Sequence, residues 1–298
     1  MSRVFDGAKL ANIIKRNIQK EIQGYNSKTP SLHIISVGND GASDSFILRK
    51  GAFAEQCGVH IHVHSLKKSP KLSFIRHLIQ ELNDNPNVHG ILTQLPLRVE
   101  DRPYWEICNL VDPLKDVDAL NQKNIVRLSR GQLNKDLSPL EQDFFLPAAS
   151  LALDETLKTI DFNPRGKLSV VIGDGPLIGN PIADFLTYFH KSTVIRCNEY
   201  TPNIEKIISE SDLVISGVGK ASYLKGDWIK DDAVVIDFGC SFTQKDQKKK
   251  VLGDVEFDKA REKAKLITPV PNGMGPVTVA MLMLNLCKSF KSQTLYHR

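Results

Sequence analysis

The chain has 298 residues, more than one typical domain, with 41% hydrophobic and 24% charged residues and a formal net charge of +5. No apolar run approaches the length of a membrane span. The N-terminal MSRVFDGAKLANII lacks the apolar core of a secretory leader, and no basic run is interleaved with aromatic residues, so membrane and nucleic-acid partners are not expected. Cys57, Cys108, Cys197, Cys240 and Cys287 are scattered without a Cys-x-x-Cys pair, which fits a reducing cytoplasm rather than a zinc site or a disulfide framework.

Leu10, Ala11, Ile14, Ile18 and Ile22 recur at helical spacing and predict an amphipathic helix over 8–24, stopped near Gly24. LHIISV (32–37) reads as a buried strand and GNDGA (38–42) as a turn. Ser43 reads as the N-cap of a helix over 44–57 that stops at Gly58. On that helix Phe46 and Lys50 are four apart and share a face. A lysine desolvated beside a ring at a cleft mouth binds its proton less tightly and can transfer it; a surface lysine whose stem packs on the ring is the simpler alternative. His60, His62 and His64 alternate with Ile61 and Val63. With no acid or thiol nearby to complete a metal site, they read as an exposed strand face with the apolar residues turned inward, and no metal is expected.

Phe74, Leu78 and Leu82 predict the apolar stripe of a helix over 70–84. HGILTQL (89–95) is a strand with Gln94 near its C-terminal end, where α/β sheets place ligand-binding groups; a glutamine that caps a loop is the alternative. In LKDVDAL (114–120), Asp116 and Asp118 are two apart and face the same way in extended chain. One can bind the N–H groups of a heterocycle while the other fixes the loop.

From about Phe144 a second unit begins with a helix in ASLALDETLKTI. LSVVI (168–172) reads as a strand buried on both faces; Gly173, Gly175 and Gly179 follow, and a helix resumes at Ile182. Strand, glycine turn and helix start form a seat for a nucleotide pyrophosphate, or else a tight turn with no ligand. Further strands at 193–196, 212–218, 233–237 and 266–268 supply the βαβαβ alternation of a doubly wound parallel sheet with right-handed crossovers, which favours the nucleotide. Glu199 stands just past the 193–196 strand, the second of the unit, where an acid often holds a ribose. Lys248 to Lys250 reads as a solvated loop. TPVPNGMGPVT (268–278) is stiffened by prolines and turned by glycines, and 277–286 is a buried helix returning to the first unit.

Seven ordered stretches carry a resemblance over nearly the whole length: DGAKLA from Asp6, SVGNDGAS from Ser36, GILTQLPL from Gly90, PLKDVDALN from Pro113, VVIGDGPLIGNP from Val170, VGKASYLKGDWIK from Val218 and TPVPNGMGPVTVAML from Thr268. Together they resemble the bifunctional methylene-tetrahydrofolate dehydrogenase/cyclohydrolase family. The resemblance implies a two-domain α/β fold with the active site in the cleft between the domains. A folate-side catalytic domain would span 1–146, completed by 277–298. A Rossmann-like doubly wound domain for NADP or NAD would span 147–276. It also implies a homodimer, formed through the nucleotide domain. The implied activities are oxidation of methylene-tetrahydrofolate to methenyl-tetrahydrofolate, with hydride passing to NADP, and hydrolysis of the methenyl cation to formyl-tetrahydrofolate. By the same resemblance Lys50, Gln94 and the pterin-binding Asp118 are catalytic, and Phe46, Gly273, Gly275 and Pro276 contact the folate. Gly173, Asp174, Gly175, Ile178, Gly179, Arg196, Gly217, Val218 and Gly219 would contact the dinucleotide.

Four departures stand beside the resemblance. The family has tyrosine at Phe46, a second basic residue at Ala52, Gly-Arg-Ser at residues 173–175 and Pro-Cys-Thr-Pro at 147–150, where Ala149 replaces the threonine. An arginine at Asp174 would pair with the extra phosphate of NADP, whereas an aspartate repels it. Asp174 and Glu199 therefore lean toward NAD unless Arg196 supplies the phosphate partner. A diverged binder of folate or nucleotide, with one or both activities lost, is the alternative reading.

Overall fold

The structure is a computed structural model that describes residues 3–25, 28–38, 41–66, 69–245 and 248–295. In chain order the first elements are β1 (Arg3–Val4), α1 (Gly7–Gln23), β2 (Ser31–Val37), α2 (Gly41–Cys57), β3 (His60–Leu66), α3 (Leu72–Asp84), β4 (Gly90–Thr93), α4 (Tyr104–Cys108) and α5 (Gln122–Ser129). Next come α6 (Ala148–Thr159), β5 (Leu168–Ile172), α7 (Gly179–Tyr188), β6 (Thr193–Cys197), α8 (Ile204–Glu210), β7 (Leu213–Ser216) and β8 (Val234–Asp237). The last are β9 (Ser241–Lys245), β10 (Lys248–Leu252), α9 (Phe257–Lys263), β11 (Leu266–Ile267) and α10 (Met274–Leu295). Among the described residues no helix is long and apolar enough to cross a membrane.

The chain divides into two compact units. One comprises Met1–Ala11, Leu128–Lys135 and Ala149–Thr278; the other comprises Asn12–Arg127, Asp136–Ala148 and Val279–Arg298. The first strand therefore belongs to the unit that holds Ala149–Thr278. Arg3 N donates to Lys265 O at 3.0 Å and Phe5 N to Ile267 O at 2.9 Å, so β1 extends the sheet of the later residues.

The first-named unit holds an all-parallel sheet in the order β1-β11-β8-β7-β5-β6. Its central strands are apolar runs because helices cover both faces of such a sheet; Val170, Val171, Leu213, Val214, Ile215, Val235 and Ile236 are wholly buried. β5 has β6 on one side and β7 on the other, so the connections leaving β5 and β7 diverge and open a crevice at their C-terminal ends. The lysine run 248–250 lies in a strand, because β10 pairs antiparallel with β9 along five residue pairs, rather than in the solvated loop expected.

The second unit is built on a three-stranded parallel sheet, β3-β2-β4. α3 packs on it through Ile75, Ile79 and Leu82, while Phe74 is 51% exposed. Of the expected stripe, Leu82 is buried and Leu78 packs partly buried on the same core, while Phe74 gives way to Ile75: both residues fit a helical period, and the packing surface selects one. α2 begins at Gly41, ahead of Ser43, so Ser43 lies within the helix instead of capping it; the preceding Asn39 and Asp40 lie outside the described residues. Gly58, at φ +82°, ends α2 as expected. On β3 the histidines are not a uniform outward face. Val63 is 46% exposed, and His64 Nε2 lies 2.9 Å from Nδ1 of His33 on the neighbouring β2. β3 is the edge strand of this sheet, paired with β2 alone.

The end of α10 is held to this unit by polar contacts. Asn285 Nδ2 donates to Val117 O at 2.8 Å and to Leu146 O at 2.9 Å, and Ser289 Oγ lies within hydrogen-bond distance of the carbonyls of both His89 and Leu114, one of which takes its proton.

Candidate functional site

In the three-stranded unit, β2 has β3 on one side and β4 on the other, so the connections after β2 and β4 open a second crevice. Gln94 follows β4 directly. Its backbone N–H donates to Ile35 O at 2.9 Å and its Nε2 to Leu95 O at 2.9 Å, which leaves Oε1 free to accept from Lys50 Nζ at 3.0 Å. Lys50 arrives on α2, the helix after β2, with the partly buried Phe46 one turn earlier. The 114–120 segment reaches the same place because it runs beside β4: Ile91 N donates to Lys115 O at 2.7 Å.

The two aspartates on that segment divide as their chemistry allows. Asp116 is buried and accepts from Leu120 N at 3.1 Å, Asn121 N at 2.7 Å and Asn124 Nδ2 at 3.0 Å, so it fixes the loop. Burial pushes its carboxyl up to about 6 against those hydrogen bonds. Asp118 instead lies within electrostatic reach of Lys50. Burial lowers the proton affinity of the Lys50 amine, with the Asp118 charge opposing; burial raises that of the Asp118 carboxyl, with Lys50 opposing. A loosely protonated amine oriented by an amide oxygen can pass a proton to or from water, and a neighbouring carboxylate can hold the N–H groups of a heterocycle. Phe46, Lys50, Gln94 and Asp118 thus belong to one unit, whereas Gly273, Gly275 and Pro276 belong to the other. Gly273 is a packing glycine: a Cβ there would lie 2.2 Å from Pro269 O. A Cβ on Gly275, in the first turn of α10, would meet nothing within 4 Å.

In the six-stranded unit the three glycines after β5 separate by role. Gly173 has φ +104°, and a Cβ there would lie 2.9 Å from Gly217 O. A Cβ on Gly179 would lie 1.9 Å from Gly173 O. Both glycines are demanded by the closeness of the chain to itself. A Cβ on Gly175 would meet nothing within 4 Å, so the backbone there is open to an approaching phosphate. That glycine turn ahead of α7 fits the pyrophosphate of a dinucleotide. The 217–219 loop after β7 lies against it, since a Cβ on Gly217 would be 2.5 Å from Ile178 Cγ2.

Asp174 is exposed in this turn. Its Oδ2 accepts from Asn198 Nδ2 at 3.4 Å, just past β6, and the neighbouring Glu199 is exposed. Arg196 is not aimed freely at this edge: its guanidinium pairs with Asp184 on α7. Asp184 was not singled out from the sequence, although an acid inside the apolar PIADFL run is a signal that a cationic partner must lie close. Among the described residues no group of three or more histidine, cysteine, aspartate or glutamate side chains is arranged to hold a metal ion.

Comparison with known proteins bears on both halves. Residues 5–118 match the catalytic-domain model of tetrahydrofolate dehydrogenase/cyclohydrolase, and residues 147–294 match its NAD(P)-binding-domain model. The bifunctional protein FolD of Chloroherpeton thalassium is 34% identical over 97% of this chain and 98% of its own. Human cytoplasmic C-1-tetrahydrofolate synthase is 35% identical over 95% of this chain, which spans 29% of that longer protein. Among solved structures, Trypanosoma brucei methylenetetrahydrofolate dehydrogenase-cyclohydrolase, complexed with NADP and an inhibitor, superposes with a TM-score of 0.90 at 31% identity, covering 97% of each chain. The Campylobacter jejuni bifunctional enzyme gives 0.89 at 32% identity, covering 98% of this chain and 99% of its own. Two domain models matched in order on a single chain, and relatives aligned from end to end, place this protein in the tetrahydrofolate dehydrogenase/cyclohydrolase family.

Proposed function

We propose that this protein oxidises methylene-tetrahydrofolate to methenyl-tetrahydrofolate with NAD(P) and hydrolyses the methenyl product to formyl-tetrahydrofolate. The observation that carries the reading is the 3.0 Å hydrogen bond from Lys50 Nζ to Gln94 Oε1, with the Asp118 carboxylate within electrostatic reach of the amine. The dinucleotide, when bound, supplies the hydride acceptor. This chain's residues do the rest. Asp118 holds the N–H groups of the pterin, and the Phe46 ring packs on it. Lys50, kept in place by Gln94, takes the proton from the water that adds to the methenyl carbon. The positive charge of the methenyl group lowers the proton affinity of Lys50 further, on top of burial. Glycines 173, 175 and 179 give the pyrophosphate its seat, with Ile178 and the 217–219 loop beside it.

NAD serves at least as well as NADP in this reading. Asp174 and Glu199 are exposed beside the turn, and Arg196 is engaged by Asp184. The protein is taken as a homodimer formed through its nucleotide-binding unit and as cytoplasmic, where its free cysteine thiols persist. A monomer in sedimentation at micromolar concentration overturns the dimer. The test of function is a spectrophotometric assay with methylene-tetrahydrofolate and each dinucleotide, followed by hydrolysis of methenyl-tetrahydrofolate. Turnover is expected in both; tight folate binding without absorbance change with either dinucleotide would assign a diverged binding protein instead.

A further inference from the structure

Asp254 follows Gly253 just past β10 and is completely buried. Its carboxylate is the common acceptor of one whole loop. Oδ2 accepts from Ser216 Oγ at 2.9 Å, Val218 N at 2.7 Å and Gly219 N at 3.2 Å, and Oδ1 accepts from Lys220 N at 2.8 Å. A carboxylate has room for four such donors, and a buried one requires them.

Asp254 is itself held by a second buried acid. Asp237 Oδ1 accepts from Asp254 N at 3.2 Å and Gly239 N at 2.7 Å, and its Oδ2 accepts from Val255 N at 3.0 Å. The two side chains fit only because their neighbours are glycines. A Cβ on Gly239 would lie 2.1 Å from Asp254 Cγ, and one on Gly253 would lie 2.2 Å from Asp237 Oδ2.

The far side of the same loop touches the glycine turn. Gly217 O would lie 2.9 Å from a Cβ on Gly173, with Val218 Cγ1 at 3.2 Å. A loop so placed cannot shift toward or away from Asp254 without moving against the turn. Its N–H groups also point inward, so the donors left for a phosphate are those of the 173–179 turn and the start of α7.

We propose that Asp254 is a positioning residue for dinucleotide binding: it draws the 218–220 backbone inward and so sets the shape of the crevice beside the glycine turn. The proposal rests on the reading of that turn and loop as the dinucleotide site. Asparagine at 254 would keep the shape of the side chain but set an N–H₂ group against a row of N–H donors.

The experiment compares the full-length wild type with Asp254→Asn. Calorimetric Kd for NAD and NADP, KM and kcat are measured, together with hydrogen exchange of the 216–222 peptide and of the β5, β7 and β8 peptides. Charge-assisted hydrogen bonds of this number support a rise of at least about tenfold in Kd and in KM for the dinucleotide, larger than any fall in kcat. Exchange should rise in 216–222 alone. A folded variant with unchanged Kd and KM, or one that loses kcat at unchanged KM, overturns the proposal. If the variant fails to fold, Ser216→Ala removes one donor and leaves the carboxylate. It should raise KM about two- to fivefold, and an unchanged KM overturns the proposal equally. A wild type that binds neither NAD nor NADP overturns the dinucleotide reading instead, and exchange in 216–222 still reports whether Asp254 anchors the loop.

Discussion

The guanidinium of Arg196, near the end of β6, is paired with the carboxylate of Asp184 on α7. This cation, at the end of the strand after the glycine turn's helix, therefore already has a partner. Releasing it should change cofactor choice. Asp184→Asn is expected to raise the ratio of catalytic efficiencies for NADP over NAD by up to about tenfold, on the order of one charge-assisted hydrogen bond. Asp174→Arg should shift it the same way by removing a repulsion and adding a donor. Steady-state kinetics on both dinucleotides checks this; a wild type that already strongly prefers NADP, with Arg196→Ala neutral, sinks it.

Lys50 offers the sharpest test of the proton-transfer reading. Lys50→Met keeps the length and the apolar stem and removes the amine. Cyclohydrolase activity should fall by about a hundred- to ten-thousand-fold, the usual contribution of a general acid–base group. Folate affinity should stay within about an order of magnitude, because the proposed function gives the binding role to Asp118. Hydrolysis at the wild-type rate would return Lys50 to an ordinary structural lysine.

The three-stranded unit should lose stability in acid through His89. Ser31 N donates to His89 Nδ1 at 3.1 Å, so the ring must be neutral there. Burial first, and the Lys115 charge second, lower its pKa from 6.5 to about 4. A folded pKa below the unfolded one means that the unfolded chain takes up the proton first. The stabilisation is intact above pH 6.5 and drains away as pH falls toward 4, on the order of 3 kcal/mol in all for this buried side chain. His33, lowered to about 4 mainly by burial, acts in the same sense. Asp116, raised to about 6 by burial, acts in the opposite sense, since its folded form holds a proton longer. Urea melts across this pH range should therefore show a steeper acid loss for the wild type than for His89→Gln, which still accepts from Ser31 without titrating. Parallel curves would count against the assignment.

Asn285 closes the Asp118 loop from α10. It is 1% exposed, and its amide serves both Val117 O and Leu146 O. Asn285→Ala leaves two buried acceptors unpaired and should cost about 1–3 kcal/mol for each. Because Val117 adjoins Asp118, KM for the folate should rise as well. Denaturant melts and folate kinetics measure the two effects separately; a stable variant with unchanged KM refutes the link.

Some of this protein was decided by sequence alone. The strand, glycine turn and helix start at 168–186 are local: an apolar run, glycines that meet a close chain, and helical periodicity all lie within one short stretch. The same holds for α1 and for the stop of α2 at Gly58. Lys50, Gln94 and Asp118 were legible as separate candidates: Lys50 on the helix after a strand, Gln94 at a strand's end and Asp118 in the 114–120 stretch. What brought them together was the order β3-β2-β4, with the 114–120 segment beside β4. The tertiary structure also chose between Asp116 and Asp118, moved the α3 stripe from Phe74 to Ile75, sent Arg196 to Asp184 and set β1 beside β11. Each of these depends on which distant segment arrives as a neighbour. Periodicity tells a residue which face it shares, but burial, ion pairing and strand pairing are settled by what lies across the gap.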